Sequence, residues 1–366
     1  MNNKTRQRFL LIFAIVLFAA VMSFIQFSNV TRDKKAHRIG FIMTGESDES
    51  GWNGMNYSGI KAACEEYGVE LMLKENITEN SGMCISAVSE LVSDGAEMII
   101  LSSYGYPAEA RDVIAEYPEI AFYGNSAEYY TDNLTSYFGR MYQARYLSGI
   151  VAGMQTETDK IGYIAATPNV EVNRGINAFT LGVKRVNPEA EVIVSWTGSW
   201  DNEEKGVFAV EELVENEHID VVTYHQNRPY VIDAAEKAGI CSIGYNEAAE
   251  GYSEKYLTAA VWDWEHLYRD IVKDFVQGKA NTKQHHWCGI ETGAVALSEY
   301  SSLVSEEARA EVEKAKEEIL GGNDVFTGEI YDNNNVLRCG ADENISDSSL
   351  MTEFDWYVDG VRLYEE

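Results

Sequence analysis

The sequence predicts an α/β protein with two lobes, each built on a doubly wound parallel sheet. From residue 38 onward, short apolar runs alternate with helical patterns, as expected for a parallel sheet that is buried on both faces. The same alternation begins again at residue 160. Between the two series, Ser136–Gly153 passes from strand-like residues through Gly139 into a helical pattern. We interpret this stretch as the first crossover between the lobes.

A basic segment and an uncharged segment precede the first lobe. Residues 1–8 are basic, and residues 9–28 contain an apolar stretch of roughly the length that spans a bilayer. The positive residues before it predict a cytoplasmic N-terminus and export of the remainder. We expect an uncleaved membrane anchor, with a signal segment as the alternative, because small residues are poorly placed for cleavage. Residues 29–37 are expected to form a linker.

The first lobe is predicted from strands and helices joined by short connections. Gly68 and Gly95 follow the first two helices, where glycine favours a C-cap. The loop TGESDESGWNG separates the first strand from the first helix. The predicted strands are Arg38–Met43, Val69–Leu73, Met98–Leu101 and Ile120–Tyr123, and the predicted helices are Met55–Tyr67, Cys84–Ser93 and Ala108–Glu116.

The second lobe repeats this pattern. We assign a helix at His266–Gln277 back to the first lobe, so the predicted lobes are 38–138 with 263–285, and 139–262 with 286–366. The predicted strands are Lys160–Ala165, Glu191–Trp196, Ile219–Tyr224, Cys241–Tyr245 and Tyr256–Val261, and the predicted helices are Val172–Asn187, Glu203–Asn216, Tyr230–Ala238 and Ser305–Leu320.

Composition argues against nucleic acid as a partner and against a disulfide framework. The formal net charge of −30 at pH 7 repels a phosphate backbone. The five cysteines form no C-x-x-C pair and are few for a chain of 366 residues. His285, His286 and Cys288 lie close together, but no second ligand pair accompanies them. We therefore expect a loop before a strand there, and no metal site.

Candidate ligand contacts follow the predicted strands, because ligands of open parallel sheets bind beyond the carboxyl ends of the strands. The residues at these positions include large aromatic side chains, amides and a few acids, with little positive charge. The predicted ligand-binding residues are Asp48, Trp52, Asn53, Ser103, Tyr104, Asn125, Asn173, Trp200, His225, Asn246, Trp262 and Asp263.

These side chains favour a flat, uncharged ligand that carries hydrogen-bonding groups. Aromatic faces pack against flat rings, and Asp and Asn hydrogen-bond ring nitrogens and hydroxyls. A phosphate site would call for a glycine-rich loop or an arginine cluster, and the sequence has neither at these positions. It also has no G-x-S-x-G, Walker or H-E-x-x-H motif. A nucleoside fits best, and we predict no cofactor, metal or catalytic residue.

Several candidates also have a structural interpretation. Asp48 could cap the start of a helix. The three tryptophans could pack inside the lobes, and His225 could be a hydrogen-bonded structural histidine. Glu171 and Arg174, which follow the same predicted strand, could pair with each other at the surface.

Five ordered stretches carry a family resemblance: YFGRMYQARYLSGIVAG, VSWTGSWDNEEKG, LTAAVWDW, FTGEIYD and DWYVDGV. They resemble the basic membrane protein family of substrate-binding proteins, which serve ABC importers and include purine nucleoside receptors. The resemblance covers nearly all of residues 38–360. It implies a type I periplasmic-binding-protein-like fold with a three-stranded hinge, which closes around a nucleoside or a related base.

The resemblance extends to two groups of candidate residues. Asp48, Trp52 and Asn53 form a D-x-x-x-W-N loop similar to an aspartate–aromatic–asparagine loop of the family. Trp200 and Asp201 are similar to its aromatic–aspartate step. Two features depart from the family pattern. Most members are lipoproteins with an N-terminal cysteine, whereas this chain has an anchor-like segment, and an asparagine stands at position 246 where many relatives carry aspartate.

The sequence and the resemblance together predict an extracytoplasmic solute-binding protein of an ABC importer. It is expected at the cell membrane, held by its N-terminal segment, where it binds a purine nucleoside or base by hinge closure. The expected partners are this small ligand and the permease and ATPase subunits. The alternatives are a membrane-tethered sensor that reports to a signalling partner, and a nucleoside hydrolase. No signalling domain and no nucleophile or metal motif supports either alternative.

Overall fold

A computed structural model of the chain describes residues 36–48, 51–248, 251–280 and 285–365. Strands in this part of the chain are mostly short buried runs of aliphatic and aromatic residues, which favour extended structure. In chain order they are β1 (Arg38–Ile42), β2 (Glu70–Lys74), β3 (Met98–Leu101), β4 (Ala121–Asn125), β5 (Leu134–Gly139), β6 (Lys160–Ala165), β7 (Glu191–Trp196), β8 (Val221–His225), β9 (Cys241–Asn246), β10 (Tyr256–Trp262), β11 (His285–Cys288), β12 (Val295–Leu297), β13 (Ile330–Tyr331), β14 (Leu337–Cys339) and β15 (Val361–Leu363).

Several helices begin where the sequence supplies a side-chain cap. Asn169, Asn202, Asp263 and Ser305 each accept a hydrogen bond from an amide in the first turn. In chain order the helices are α1 (Trp52–Tyr67), α2 (Met83–Ser93), α3 (Tyr106–Glu109), α4 (Arg111–Glu116), α5 (Met141–Gln155), α6 (Val170–Val186), α7 (Glu203–Glu212), α8 (Tyr230–Ala238), α9 (Trp264–Val276), α10 (Glu306–Leu320) and α11 (Asp347–Thr352). A π-helical turn, Leu213–Glu217, continues α7.

The first sheet has six parallel strands in the order β11-β5-β4-β3-β1-β2. Its strand order reverses between β1 and β3, which is the arrangement of a doubly wound sheet with helices on both faces. A crevice for ligand is therefore expected outside the carboxyl ends of these two strands.

The second sheet repeats this winding. Its order is β12-β10-β9-β8-β6-β7-β15, and the segment β10-β9-β8-β6-β7 matches β5-β4-β3-β1-β2 of the first sheet strand for strand. All pairs are parallel except β10 with β12 at one edge. The predicted α/β class with two parallel-sheet lobes is confirmed.

The chain passes between the two lobes three times: from β5 into α5, from β10 into α9, and from β11 to β12. Helix α5 packs against α6, α10 and β10 of the second lobe, and α9 packs against α1 of the first. These three connections are the parts of the chain that can act as a hinge.

Strand β11 differs from the prediction in both structure and place. Residues 285–288 were expected to form a loop, and 286–288 were assigned to the second lobe. They instead pair with Ser136–Gly139 of β5 and extend the first sheet. The sequence His-His-Trp-Cys has no apolar run, so this strand is specified by its pairing with the fully buried β5 rather than by its own pattern.

The predicted basic segment at residues 1–8 and the predicted anchor at residues 9–28 lie outside the described residues, as does most of the linker at 29–37. Within the part of the chain that the structure describes, no helix has the length and apolar composition that crossing a bilayer requires.

Candidate functional site

A cavity of about 460 Å³ lies where the carboxyl ends of the two sheets face each other. Nearly every strand that ends there contributes a lining residue, either at its last position or shortly after it. The first lobe supplies Thr44, Trp52, Glu79, Ser103, Tyr104 and Asn125, and the second supplies Thr167, Asn169, Glu171, Trp200, Asn227, Tyr245 and Asn246. The cavity thus occupies the position that doubly wound sheets offer to ligands.

Six of the twelve predicted ligand contacts meet in this cavity: Trp52, Ser103, Tyr104, Asn125, Trp200 and Asn246. The other six do not line it. Asp48, Trp262 and Asp263 lie along a neighbouring groove, and Asn53, Asn173 and His225 are engaged in contacts behind the cavity or away from it.

Two of the three groove residues, Trp262 and Asp263, have structural roles. Asp263 caps α9 by accepting a hydrogen bond from the His266 amide at 2.9 Å. Trp262 stacks on Trp264 with a centroid separation of 4.6 Å and meets the edge of Trp52 at 6.2 Å. Asp48 is exposed in the segment between β1 and α1. Trp262 therefore supports the tryptophan that lines the cavity, and does not itself line it.

The two asparagines hold other parts of the chain. Asn53 accepts a hydrogen bond from the Thr44 hydroxyl at 3.1 Å. Asn173 is buried in α6, where its amide nitrogen donates to the Phe354 carbonyl at 2.9 Å and its oxygen accepts from the Tyr357 hydroxyl at 3.1 Å. Asn173 thus secures the C-terminal segment against the second lobe.

Two tryptophans form opposing parts of the cavity wall. Trp52, the first residue of α1, donates from Nε1 to the Ser102 carbonyl at 3.1 Å and packs edge-on against Trp264 at 5.0 Å. Trp200 follows β7 in the other lobe and packs edge-on against His225 at 5.9 Å. Both side chains are only partly buried, so each keeps some surface towards the space between the lobes.

Tyr245 completes the aromatic lining from the end of β9. One neighbour is His225, whose ring centroid lies 4.4 Å away, and another is the guanidinium of Arg145, which stacks at 3.9 Å. Arg145 is fully buried in α5 and donates to the Tyr224 carbonyl at 2.7 Å. Burial raises the pKa of the Tyr245 hydroxyl, so this hydroxyl is uncharged at ordinary pH.

Asn246 presents an unsatisfied acceptor at the cavity. It lies in the left-handed region at φ +74°, and its Nδ2 donates to the Gln226 carbonyl at 3.3 Å. This bond fixes the orientation of the amide and leaves Oδ1 buried without a hydrogen-bond partner among the described residues. A buried acceptor of this kind is costly unless a ligand or water donates to it.

Two carboxylates line the cavity, and none of its thirteen lining residues is Lys or Arg. Oε1 of Glu79 accepts hydrogen bonds from the Ser103 hydroxyl and the Gly105 amide, both at 2.6 Å. Glu171, in the first turn of α6, lies 3.8 Å from Nε2 of His225. The aromatic, amide and carboxylate lining suits a neutral ligand that donates hydrogen bonds.

Seven lining residues lie outside the predicted set: Thr44, Glu79, Thr167, Asn169, Glu171, Asn227 and Tyr245. The strand-end rule does point to Glu171, Asn227 and Tyr245, which were not kept among the twelve predicted contacts, and it could have identified the other four, because each follows a strand. Glu79 lies five residues beyond β2, a strand whose carboxyl end supplied no candidate. The rule was therefore applied unevenly, because Thr44 and Thr167 lie only two residues beyond β1 and β6 and were passed over.

The cysteines outside the cavity form no disulfide bond and contribute to no metal site among the described residues. Cys64, Cys84, Cys241, Cys288 and Cys339 are all free thiols. Sγ of Cys288 lies 3.2 Å from Nε2 of His286, and burial raises the pKa of this thiol to about 11, which keeps it protonated near neutral pH. Within the described residues, no group of three or more His, Cys, Asp or Glu side chains is placed to hold a metal ion.

Two relatives in sequence have named ligands. A protein of Haloferax volcanii, named as a candidate ABC transporter glucose-binding protein, is 31% identical over 326 residues, which cover 88% of this chain and 79% of the relative. A protein named purine-binding protein, from Brucella abortus, is 28% identical over 330 residues, which cover 88% of this chain and 92% of the relative.

Two solved structures have the same architecture. A transcriptional activator of the comK gene from Bacillus halodurans superposes with a TM-score of 0.69 at 26% identity, covering 78% of this chain and 99% of the other. An ABC transporter solute-binding protein from Aeropyrum pernix superposes with a TM-score of 0.68 at 18% identity, over 81% and 93% of the two chains. The second match shows the fold alone.

The family model that describes PnrA-like ABC transporter substrate-binding proteins, named Bmp, matches residues 36–327. This range includes both sheets up to β12 and every residue that lines the cavity. The chain belongs to this family of ABC transporter substrate-binding proteins.

Proposed function

We propose that this protein binds a purine nucleoside or purine base in the cavity between its lobes, as the solute-binding component of an ABC importer. The observation that carries the proposal is that Trp52 and Trp200 line one cavity from opposite lobes. Aromatic faces that approach from two sides suit a flat ring system, because a base stacks on such faces.

The polar lining supports the same class of ligand. Oδ1 of Asn246 is a buried acceptor that no described residue donates to, and a ring N–H, an amino group or a hydroxyl of the ligand would satisfy it. Asn125 is buried on the opposite side of the cavity and offers a second amide. A nucleoside presents both a base edge and sugar hydroxyls to groups of this kind.

The relatives support two classes of solute. The Brucella relative is named for purine binding, and the Haloferax relative is named for glucose binding. A purine nucleoside combines a flat base with a sugar, and the paired tryptophans favour a ligand that contains the base. Glucose is the comparison ligand that a test has to include.

Binding requires no covalent step. Each lobe contributes one wall, and a ligand that touches both walls stabilises the closed arrangement by its differential contacts. We further propose that the protein works at the extracytoplasmic face of the cell membrane, held there by residues 9–28, and delivers its ligand to permease and ATPase subunits.

A sensor is the second candidate function. The relative from Bacillus halodurans is named as a transcriptional activator, which favours a regulatory output for at least one protein of this architecture. Affinity purification from membranes distinguishes the two roles. Co-purification of a permease supports import, whereas co-purification of a signalling protein without a permease supports sensing.

Thermal unfolding with a ligand panel tests the proposed ligand class. The panel contains adenosine, guanosine, inosine, adenine, hypoxanthine and glucose. A ligand that binds the native state at about 100 times its Kd raises the free energy of unfolding by about 2.7 kcal/mol. We expect a purine compound to raise Tm and glucose to leave it unchanged. Stabilisation by glucose without any purine would refute the proposed ligand.

A matched pair of variants locates the binding site. Trp200→Ala removes one wall and should weaken binding of a purine ligand by roughly tenfold to a hundredfold, since a stacked aromatic ring contributes about 1–3 kcal/mol per base. Phe208→Ala removes a half-exposed aromatic ring of the same lobe that does not line the cavity, and should leave affinity unchanged. Equal affinities for both variants would place the ligand elsewhere.

A further inference from the structure

Two carboxylates approach the cavity from opposite lobes. Glu79 lies in the segment after β2 in the first lobe, and Glu171 lies in the first turn of α6 in the second. A third, Glu128, accepts a hydrogen bond from the half-exposed Tyr104 hydroxyl at 2.5 Å. Burial is the main cause that raises the pKa of that tyrosine, and the charges of Glu128, Glu171 and Glu79 act in the same direction, so their fields overlap at this lining residue.

Glu79 is held in position by its surroundings. Its Oε1 accepts from the Ser103 hydroxyl and the Gly105 amide at 2.6 Å. The segment that carries it is secured by Glu109, which accepts from the amides of Asn80 at 2.6 Å and Gly82 at 2.7 Å. The negative charge of Glu79 is therefore a fixed feature of the cavity and does not swing away from an incoming ligand.

No cation among the described lining residues neutralises Glu171; the buried Arg174, one turn along α6, interacts with its charge from behind the wall. Nε2 of His225 lies 3.8 Å from the Glu171 carboxylate, but burial lowers the pKa of that histidine to about 4, so it is neutral near pH 7. Arg145 and Arg174 lie behind the wall, where they donate to the carbonyls of Tyr224 and Leu350. Neither arginine lines the cavity, so neither can contact a ligand within it.

Two backbone amides near the cavity are also engaged. The Gly105 amide donates to Glu79, and the side chain of Asn169 accepts from the Val172 amide at the start of α6. Among the described residues that line the cavity, no cation is available to a phosphate group. Phosphate sites in proteins commonly rely on such cations.

We propose that Glu79 and Glu171 determine specificity by excluding phosphorylated ligands, so that the site accepts a nucleoside and rejects its 5′-monophosphate. The inference rests on the proposed nucleoside function and adds to it a choice between two ligands that share the same base and sugar. A like charge placed against a partly desolvated ligand is a strong element of discrimination, because it penalises only the unwanted partner.

Isothermal titration of the purified full chain tests this with inosine against inosine 5′-monophosphate, and with adenosine against adenosine 5′-monophosphate. The variants are Glu79→Gln, Glu171→Gln and the double variant, since glutamine keeps the size of the side chain and an acceptor oxygen. Glu116→Gln, an exposed glutamate outside the cavity, is the control for net charge. Thermal unfolding checks that each variant is folded.

We expect the wild-type protein to bind a nucleoside at least about 100-fold more tightly than its monophosphate, and each single substitution to narrow this ratio by roughly tenfold. The control should leave the ratio unchanged. Equal wild-type affinities for nucleoside and monophosphate, or an unchanged ratio in the folded double variant, would overturn the role of the two carboxylates. Either result would leave the proposed nucleoside function standing. Failure of every nucleoside to bind would overturn the proposed function as well.

Discussion

His225 is a buried histidine that packs against two aromatic residues of the cavity wall. It is 1% exposed, and it lies between the rings of Trp200 and Tyr245. Its Nδ1 lies 3.3 Å from the hydroxyl of Tyr163. Burial lowers its pKa to about 4, and the nearby Arg145 acts in the same direction, whereas Glu171 opposes them. The neutral ring is therefore part of the folded structure, and a proton on it is unfavourable.

We predict that this histidine makes the protein sensitive to acid between about pH 6.5 and pH 4. In the unfolded chain a histidine titrates near its ordinary pKa of 6.5, whereas in the folded protein it titrates near 4. Below pH 6.5 the unfolded state therefore binds a proton that the folded state rejects. The free energy of unfolding should fall as the pH falls, by about 3 kcal/mol in total at pH 4.

Denaturant titrations of the wild type and of His225→Gln across this pH range measure the effect. Other groups titrate alike in both proteins, so the difference between the two curves belongs to His225. His218→Gln replaces an exposed histidine and should keep the wild-type pH dependence. An equal loss of stability in the wild type and in His225→Gln would show that the buried ring does not control this acid sensitivity.

At the residue scale, position after a strand correctly indicated the tryptophans that line the cavity. It did not indicate which partners the buried polar side chains would have. Trp52 and Trp200 come soon after strands, where position alone predicts exposure to a ligand. Asn173 also follows a strand, yet its amide bonds the Phe354 carbonyl, 181 positions away along the chain. A contact so distant in sequence leaves no local pattern, so an amide that binds a ligand and one that binds a distant backbone look alike.

Helices α5 and α6 cross with their backbones in contact at two glycines. A Cβ atom on Gly149 would overlap the Phe179 carbonyl, and one on Gly182 would overlap the Tyr146 carbonyl. Glycine is required at both positions because the helices approach too closely for any side chain. Since α5 also carries Arg145, which stacks on Tyr245, this crossing sets the position of one cavity wall.

We predict that Gly149→Ala lowers the free energy of unfolding by at least about 3 kcal/mol, since overpacking against backbone cannot be relieved by a rotamer change. Met154→Ala lies on the exposed part of the same helix and should change stability by less than about 0.5 kcal/mol. Denaturant unfolding of both variants measures this difference. A Gly149→Ala protein as stable as the wild type would mean that the two helices can separate at no cost.

At the element scale, strands and helices were predictable where an apolar run, a helical periodicity or a capping residue marks them. Elements without such a local signal were predicted with wrong bounds or missed. The predicted helix at Ala108–Glu116 is two short helices that meet at Ala110. Helix α1 begins at Trp52, three residues before the predicted start, because Gly51 supplies no side-chain cap that would mark it. Strands β11 and β15 are short and depend on pairing with a strand distant in sequence.

The two lobes touch at the mouth of the cavity, which indicates that the structure is a closed arrangement. Gly51, at φ +79° before α1, lies so near the backbone oxygen of Asn227 in the other lobe that a Cβ atom would stand 2.5 Å from it. Glu247 lines a groove beside the same glycine, and burial raises the pKa of its carboxyl group. A ligand that bridges the lobes should favour this arrangement over an open one.

We predict that Gly51→Ala impairs closure and weakens binding of the purine ligand identified for the wild type by at least roughly tenfold. The added methyl group meets Asn227 only when the lobes are closed, so the open form is spared this clash. Small-angle X-ray scattering should show a radius of gyration near 20 Å that falls by about 1 Å when the wild type binds ligand. The variant should show a smaller decrease at equal occupancy.

Gly68→Ala is the control, because it places alanine at the other end of α1, also at a positive φ (+65°), with no atom within 4 Å of the new Cβ. Both substitutions carry backbone strain, about 1–2 kcal/mol at Gly68 and more at Gly51, whose ψ of −142° belongs to a region that glycine alone adopts readily, so stability falls in each. Only the change at Gly51 adds a clash between the lobes. If affinity falls equally in both variants, strain in α1 explains the loss. If it falls in neither, the contact between Gly51 and Asn227 does not belong to the ligand-bound state.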